Sequence, residues 1–303
     1  MPSKQQQTIA PLLKRSQSTF SIEFFPPKDD KSWDQFHQTA SRLATLEPDF
    51  VSITYGAGGS TRSRTEEAAR LLKDRYGFLV MPHLTCVGST EKDIIELVEG
   101  WVKEGYRNIM ALRGDPPKGQ TTFEATAGGP KYGSELIAIL KKNFPEICLG
   151  AAGYPEQHPE AGSPEDDLDH LQAKVDAGAD FITTQLFFNN ESFYRYRDAA
   201  RLRGIDLPIN AGIMPVLSYS QIKRFTEMCG ASLPASLTSI LEPIAEHKEE
   251  VENKGIEWAT EQISDLYAHN VDGVHLYALN RARAAVNLAK RLFGREKLSP
   301  LPG

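Results

Sequence analysis

Asn108-Ile109-Met110-Ala111-Leu112-Arg113-Gly114-Asp115 is the stretch that decides the fold class. It begins as a largely apolar run of strand length and ends on a cation, a glycine and a carboxylate. Polar groups at the carboxyl ends of buried strands are typical of α/β proteins, because helices cover the sheet and leave the strand ends open to ligands. The stretch therefore predicts a buried parallel strand that leads into a ligand-binding loop.

The same pattern recurs along the chain. Other strand-like runs end at Glu23, Thr54, His83, Gln185 and Tyr277. The predicted strands are Phe20–Phe24, Phe50–Thr54, Leu79–Leu84, Asn108–Leu112, Cys148–Ala152, Phe181–Gln185, Ile209–Ile213 and Val274–Tyr277. The predicted helices are Ser32–Leu46, Arg64–Arg75, Glu91–Glu104, Ser134–Asn143, Pro164–Ala177, Ser192–Arg203, Tyr219–Met228 and Ala282–Phe293. About eight strand–helix units predict an α/β fold of the (β/α)8 TIM barrel type.

The stretch before the last predicted strand is longer than one helix needs. Residues 232–270 therefore predict extra helices, one around Ser236–Val251 and a second at Ile256–Tyr267. No linker-like composition divides the chain, so we expect a single domain over residues 18–303. Residues 1–17 are mostly polar, and we expect them to form a flexible N-terminal arm without a secretory signal.

Composition and charge restrict the class of partner. The net charge of −6 and the pI near 5.7 argue against nucleic acid or an anionic membrane as the main partner, since both favour a basic surface. The three cysteines are widely spaced, and the seven histidines lack ligand spacing, so neither a disulfide framework nor a metal site is predicted. A cytoplasmic protein with small-molecule substrates fits this pattern, and a homo-oligomer is compatible with it.

Glu23 is the first candidate catalytic residue. It is embedded among Phe20, Ile22, Phe24 and Phe25 and precedes two prolines. Burial of a carboxyl group raises its pKa and suits it to act as a general acid near neutral pH. A structural glutamate paired with a barrel arginine explains the same segment equally well.

Arg113, Gly114 and Asp115 form the second candidate. A guanidinium suits phosphate or carboxylate, the glycine lets a ligand approach the backbone, and the carboxylate can accept from a heterocycle. The alternative is an ordinary turn with a helix cap and a surface ion pair.

Weaker signals surround these two. The glycine-rich turn at residues 55–61 either presents backbone N–H groups to a ligand or is a plain βα turn, and it matches neither nucleotide-binding fingerprint. His83 and His158, taken alone, are better explained by packing than by cofactor contact. Phe225, taken alone, is a core residue.

Together these motifs carry a resemblance that the single residues do not. In chain order they are Ser21–Pro27, Val51–Gly58, Pro82–Cys86, Ala111–Asp115, Tyr154–Pro159, Lys174–Ala179, Thr184–Phe188 and Tyr277–Arg281. From about Ser18 to Phe293 the chain closely resembles the methylenetetrahydrofolate reductase family, in the bacterial form that consists of the catalytic domain.

The resemblance implies an oxidoreductase, a flavoprotein that carries FAD. Such an enzyme takes a hydride from NADH or NADPH and passes it to 5,10-methylenetetrahydrofolate in a ping-pong reaction. The product, 5-methyltetrahydrofolate, supplies methyl groups for methionine synthesis. Eukaryotic members add a regulatory domain that senses S-adenosylmethionine, and feedback of that kind is not expected here.

The resemblance also implies roles for residues. Glu23 matches the general acid that protonates the folate, and Asp115 matches the aspartate that binds the pterin and stabilises its cationic form. The other substrate contacts implied are Gln185, Gln221, Phe225 and Arg281.

The positions that match FAD contacts are Thr54, His83, Arg113, Gly114, Asp115, Tyr132, Gly133, Ala152, Tyr154, His158, Asp167, His170 and Lys174. His170 and Ala173 depart from the pattern, since some members carry asparagine and arginine there. The departure puts these two contacts in doubt, while Arg113 and Lys174 remain to balance a diphosphate.

Two other functions compete with this one. A flavin-free methyltransferase that uses methyltetrahydrofolate needs the same pterin-binding acids but not the aromatic and histidine cluster. A non-catalytic descendant would be free to lose Glu23 and Asp115, and the sequence keeps both.

Overall fold

Eight parallel strands close into a barrel. The computed structural model describes residues 7–15, 17–55, 62–116 and 123–294. The strands are β1 Thr19–Phe24, β2 Phe50–Ile53, β3 Val80–Thr85, β4 Asn108–Leu112, β5 Cys148–Gly153, β6 Phe181–Thr184, β7 Ile209–Ile213 and β8 Gly273–Leu276. Each pairs with its sequence neighbour, and β8 closes on β1 with Ile22 opposite Leu276. The predicted (β/α)8 TIM barrel is confirmed.

Except for the first, the helices follow the strands and cover the outside of the barrel. They are α1 Ile9–Leu13, α2 Trp33–Ala44, α3 Arg62–Asp74, α4 Glu91–Lys103, α5 Gly133–Asn143, α6 Pro164–Asp176, α7 Asn190–Leu202, α8 Tyr219–Cys229, α9 Ala235–Leu241, α10 Lys248–Ala268 and α11 Ala282–Phe293. Local chemistry sets several starts: Thr90 and Asp93 form a capping box on α4, and the Ser163 hydroxyl caps α6 ahead of Pro164. Within the described ranges, no helix combines the length and the apolar character needed to cross a bilayer.

The extra helices before β8 are present, but their predicted boundaries were wrong. α9 ends at Leu241, where a 3-10 turn at Glu242–Ile244 contains Pro243, and α10 then runs unbroken through Gly255. Proline lacks the N–H that would continue α9. Gly255 does not interrupt α10, because it serves close packing: a Cβ at this position would lie 1.9 Å from the Val216 carbonyl oxygen.

Part of the segment expected to be a flexible arm is packed against the barrel. α1 buries Ile9, Leu12 and Leu13 at the amino-terminal end of the barrel, in a cluster that includes Phe50. The backbone N–H of Ile9 donates to Asn108 Oδ1 at 2.8 Å. The apolar face of the segment thus finds a partner that local sequence does not reveal, and residues 9–13 are ordered as a helix.

The barrel interior changes from apolar to polar along its axis. Phe50 stacks on His275 with ring centroids 6.0 Å apart. Glu23 lies nearer the carboxyl ends of the strands, beside His83 and His275. In TIM barrels the active site lies at the carboxyl ends of the strands. The polar end of this barrel is therefore the expected position of the active site.

Candidate active site

Glu23 lies near the carboxyl end of β1 with only 6% of its surface exposed. Burial raises the pKa of its carboxyl from 4.5 to about 8, and a hydrogen bond from Ser52 would act in the opposite direction. A carboxylic acid in this environment keeps its proton near neutral pH and can donate it. The sequence-based expectation of a buried carboxyl is met, and its close neighbours are histidines rather than the arginine of the structural alternative.

Two histidines face the Glu23 carboxyl. The Nε2 atoms of His83 and His275 lie 3.6 and 3.9 Å from Glu23 Oε2. Burial lowers the pKa of His83 to about 4; burial, with a contribution from His83, lowers the pKa of His275 to about 3. Both rings are therefore neutral at physiological pH, and neither supplies a positive charge that would ionise Glu23.

His275 belongs to a hydrogen-bonded chain inside the barrel. Its Nδ1 lies 2.8 Å from Ser21 Oγ and its Nε2 lies 2.9 Å from Ser52 Oγ. Asn210 Nδ2 donates to Ser21 Oγ at 3.3 Å. Sequence reasoning did not identify His275 as a site residue. The signal that could have identified it is its position between Val274 and Leu276 in a predicted strand. Because side chains alternate between the two faces of a strand, His275 points to the face opposite that of Val274 and Leu276.

Arg113, Gly114 and Asp115 follow β4 as predicted. Gly114 has φ 86°, and a Cβ there would lie 2.7 Å from Val87 Cγ2. Both the left-handed backbone and the close contact require glycine. Asp115 is exposed at the rim of the barrel.

The Arg113 guanidinium is held by a carboxylate. It forms a bidentate ion pair with Glu160, in which Nη2 donates to Oε1 at 2.8 Å, and it stacks over Phe123. Hydrogen bonding with Glu160 raises the pKa of Arg113, which stays charged. The surface ion pair considered from the sequence is thus present, at a position that also faces the loop after β5.

A second cation lies beside this loop. Lys174 Nζ donates to the Ala152 carbonyl at 2.7 Å and lies 5.9 Å from the Tyr154 ring centroid. Burial lowers the pKa of Lys174 to about 8, while the carboxylate of Asp167 acts to raise it. His158 packs edge-on against Tyr154 at 4.6 Å, and its backbone N–H contacts Asp167 Oδ2 at 3.4 Å.

These residues, which we call the rim strip, are linked by electrostatic interactions. Burial raises the pKa of Tyr154, and the charges of Asp167 and Asp115 act in the same direction. The charges of Arg113 and Asp167 each act on both Tyr154 and His158, and the charge of Lys174 also acts on His158. Such a strip suits a ligand with anionic groups and flat rings.

The remaining predicted positions belong to several elements. Tyr132 is half-exposed and precedes α5, where a Cβ on Gly133 would lie 3.6 Å from the Arg113 backbone nitrogen. Thr54 follows β2. The glycine-rich turn beyond it falls at residues 56–61, outside the described residues. His170 is exposed on α6 but influences the buried Asp167 electrostatically.

The predicted substrate residues are spread more widely. Gln185 follows β6, and its backbone N–H donates to the Gly153 carbonyl at 2.7 Å. Phe225 on α8 is half-buried in an apolar cluster that also contains Tyr277. Gln221 lies one helical turn earlier, and Arg281 is exposed immediately before α11. Gln185 thus lies at a strand end, whereas Phe225 lies on α8 and Arg281 directly precedes α11.

Comparison with known proteins gives a consistent result. The sequence profile described as methylenetetrahydrofolate reductase matches residues 8–293. A protein of Escherichia coli K12 named 5,10-methylenetetrahydrofolate reductase is 36% identical, and the alignment covers 92% of each chain. A protein of Arabidopsis thaliana named methylenetetrahydrofolate reductase (NADH) 1 is 37% identical over 94% of this chain and 50% of its own length. The chain thus spans about half the length of this plant relative.

A solved structure shares the fold at lower identity. It is an uncharacterized protein from Clostridium thermocellum that binds two copies of 5-methyl-5,6,7,8-tetrahydrofolic acid. The TM-score is 0.63 at 16% identity, over 92% of this chain and 96% of the other. At this identity the match shows the barrel fold alone.

Proposed function

The chain belongs to the methylenetetrahydrofolate reductase family, and from that membership we propose that it reduces 5,10-methylenetetrahydrofolate to 5-methyltetrahydrofolate. The electron donor is NADH or NADPH and the resident cofactor is FAD. The names of plant relatives specify NADH, which favours that donor. In this proposal the two substrates bind in turn at one site, and the product serves methionine synthesis in the cytoplasm.

The observation that carries the proposal is the state of Glu23. Opening the imidazolidine ring of the folate requires a proton on its nitrogen, so the site must hold an acid that is protonated at neutral pH. Glu23 fits because burial raises its pKa to about 8 at the end of the barrel where ligands bind.

The rim strip fits FAD. Arg113 and Lys174 would hold the diphosphate, and Tyr154 and His158 offer flat surfaces for the rings. Gly114 lets the ligand approach the backbone after β4. The further contacts proposed are Thr54, His83, Asp115, Tyr132, Gly133, Ala152, Asp167 and His170. When bound, FAD would supply the ability to accept a hydride from the nicotinamide and donate it to the folate.

The proposal assigns a second group of residues to the folate and nicotinamide substrates. Asp115, with a carboxylate at the rim, would attract the cationic form of the pterin and orient it. Gln185 would hydrogen-bond the pterin, and Phe225 would stack on whichever substrate is present. Gln221 and Arg281 would contact the remainder of the folate. Residues 18–303 would act as one catalytic domain.

Spectroscopy combined with a turnover assay tests the proposal. We expect the purified protein, as isolated or after incubation with FAD, to show flavin absorption bands, which NADH or NADPH bleaches and 5,10-methylenetetrahydrofolate restores. Initial rates should give parallel double-reciprocal lines. A colourless protein that does not take up FAD would indicate the methyltransferase instead, and intersecting lines would contradict the shared site.

A further inference from the structure

The hydrogen bonds behind Glu23 can be assigned a direction by counting their donors and acceptors. Ser21 Oγ donates its hydrogen to the Val274 carbonyl at 3.1 Å and accepts from Asn210 Nδ2 at 3.3 Å. With its hydrogen already used, Ser21 interacts with His275 Nδ1, 2.8 Å away, as an acceptor. This assignment places the His275 proton on Nδ1.

The other ring nitrogen is consequently an acceptor. A neutral imidazole has one N–H and one lone pair, and burial lowers the pKa of His275 to about 3, so the ring is neutral. Its Nε2 lies 2.9 Å from Ser52 Oγ, which must then donate. The single hydrogen of the Ser52 hydroxyl points at His275.

This direction matters because Ser52 lies opposite Glu23 on the neighbouring strand β2. A hydroxyl that donates to a carboxylate stabilises its ionised form, and a hydrogen bond from Ser52 to Glu23 would lower the pKa of Glu23. We propose that His275 is a positioning residue that accepts the Ser52 hydrogen, keeps it away from the Glu23 carboxyl and so retains the acid proton on Glu23.

The other groups around Glu23 do not replace this effect. The carboxyl is faced by His83 from β3 at 3.6 Å and by His275 from β8 at 3.9 Å. Ser52 reaches it from β2, and Tyr277, whose hydroxyl donates to the Thr184 carbonyl at 2.6 Å, lies beyond β8. Burial raises the pKa of Tyr277 and lowers that of His83, so both are neutral. The orientation of the Ser52 hydroxyl is therefore the contribution to the Glu23 pKa that can change.

Direct titration of Glu23 tests the inference. The role as general acid rests on the proposed function, but the titration needs no substrate, so the two can fail separately. The full-length protein is labelled with [5-13C]glutamate, the Glu23 resonance is assigned with Glu23→Gln, and its carboxyl shift is followed from pH 5 to 9. We expect wild type to titrate near pH 8 or above.

His275→Phe removes the acceptor while keeping a ring of similar size. The freed Ser52 hydrogen then turns to the carboxylate, and the midpoint should fall by about one pH unit or more. His275→Gln keeps an acceptor oxygen and should restore most of the wild-type midpoint. His247→Phe, at an exposed histidine, is the matched control and should change nothing. An unchanged or higher midpoint in folded His275→Phe overturns the proposal.

Ser52→Ala supplies a second test if the phenylalanine variant does not fold. If the Ser52 hydrogen points at His275 in the wild type, Ser52→Ala removes only an oxygen that accepts the Glu23 proton. The titration midpoint of Glu23 should then fall or stay constant. A rise in the midpoint would mean that Ser52 donates to Glu23 in the wild type, which contradicts the inference. In turnover, the alkaline limit of the folate half-reaction should move with the titration midpoint in each variant.

Discussion

At the scale of single residues, the pKa of each carboxyl group depends on the charge and the solvent exposure of its surroundings. Glu23 is surrounded by neutral groups, so desolvation dominates and its pKa rises to about 8. Asp115, at the rim, is exposed. The two carboxyl groups thus have opposite environments, which would suit the proposed roles of acid for Glu23 and electrostatic stabiliser for Asp115.

Glu23→Gln tests the acid role. The substitution keeps the shape of the side chain and removes the proton donor, so the folate half-reaction should slow by about 10²–10⁴-fold, while reduction by the nicotinamide stays nearly constant. Stopped-flow absorbance measures each half-reaction. Glu261→Gln, at an exposed glutamate on α10, is the control. Equal loss in both half-reactions, or loss of bound FAD, would indicate a structural role.

Asp115→Asn separates charge from shape at the rim. The folate step should slow by about 10²-fold, the lower end of the range for a pre-organised group, because Asp115 is exposed. The midpoint potential of bound flavin should rise, since a nearby anion no longer opposes added electrons. Spectroelectrochemical titration measures this change, with Glu124→Gln as a control on the same loop. An unchanged or lower potential with FAD fully bound would place the carboxylate away from the flavin.

At the scale of elements, the periodic patterns located the strands and most helices, whereas special residues were harder to interpret. Asn253-Lys254-Gly255 has the composition of a helix stop, yet α10 continues through it. Gly255 is required by the neighbouring Val216 carbonyl, and nothing in the local sequence distinguishes a glycine that ends a helix from one that allows contact. Tertiary packing decided this boundary.

Gly255→Ala tests that reading against a matched control. The new Cβ would lie 1.9 Å from a backbone oxygen, so the helix must shift, and we expect a loss of about 1–3 kcal/mol in the free energy of unfolding. Gly100→Ala on α4 meets no atom within 4 Å and should stabilise by about 0.5–1 kcal/mol. Urea denaturation followed by circular dichroism measures both. Equal effects of the two substitutions would contradict the packing role of Gly255.

At the scale of the whole molecule, the buried titratable groups link stability to pH. The raised pKa of Glu23 gives a contribution that is complete below pH 4.5 and is lost as the pH rises to about 8. The lowered pKa values of His83 and His275 give contributions that are complete above pH 6.5 and are lost as the pH falls to about 4 and 3. Together these groups place maximum stability near pH 6.5.

Glu23→Gln should flatten the alkaline side of this profile. Between pH 6.5 and 8, wild type should lose about 1.4 kcal/mol per pH unit through Glu23, and the variant should not. The free energy of unfolding from urea titrations at half-unit intervals gives the slopes. Identical slopes in the two proteins would mean that Glu23 is ionised in the folded state at neutral pH.

The sequence by itself determined the barrel, because eight buried strands alternating with amphipathic helices depend on local periodicity. It also predicted that Glu23, Asp115 and Gln185 lie at the same end of the barrel, since the carboxyl ends of parallel strands share one edge. Only the tertiary structure revealed α1 packed against the amino-terminal end of the barrel and His275 linked to Ser21, Ser52 and Asn210. These depend on contacts between residues far apart in sequence, whose distances and hydrogen-bond directions no local pattern encodes.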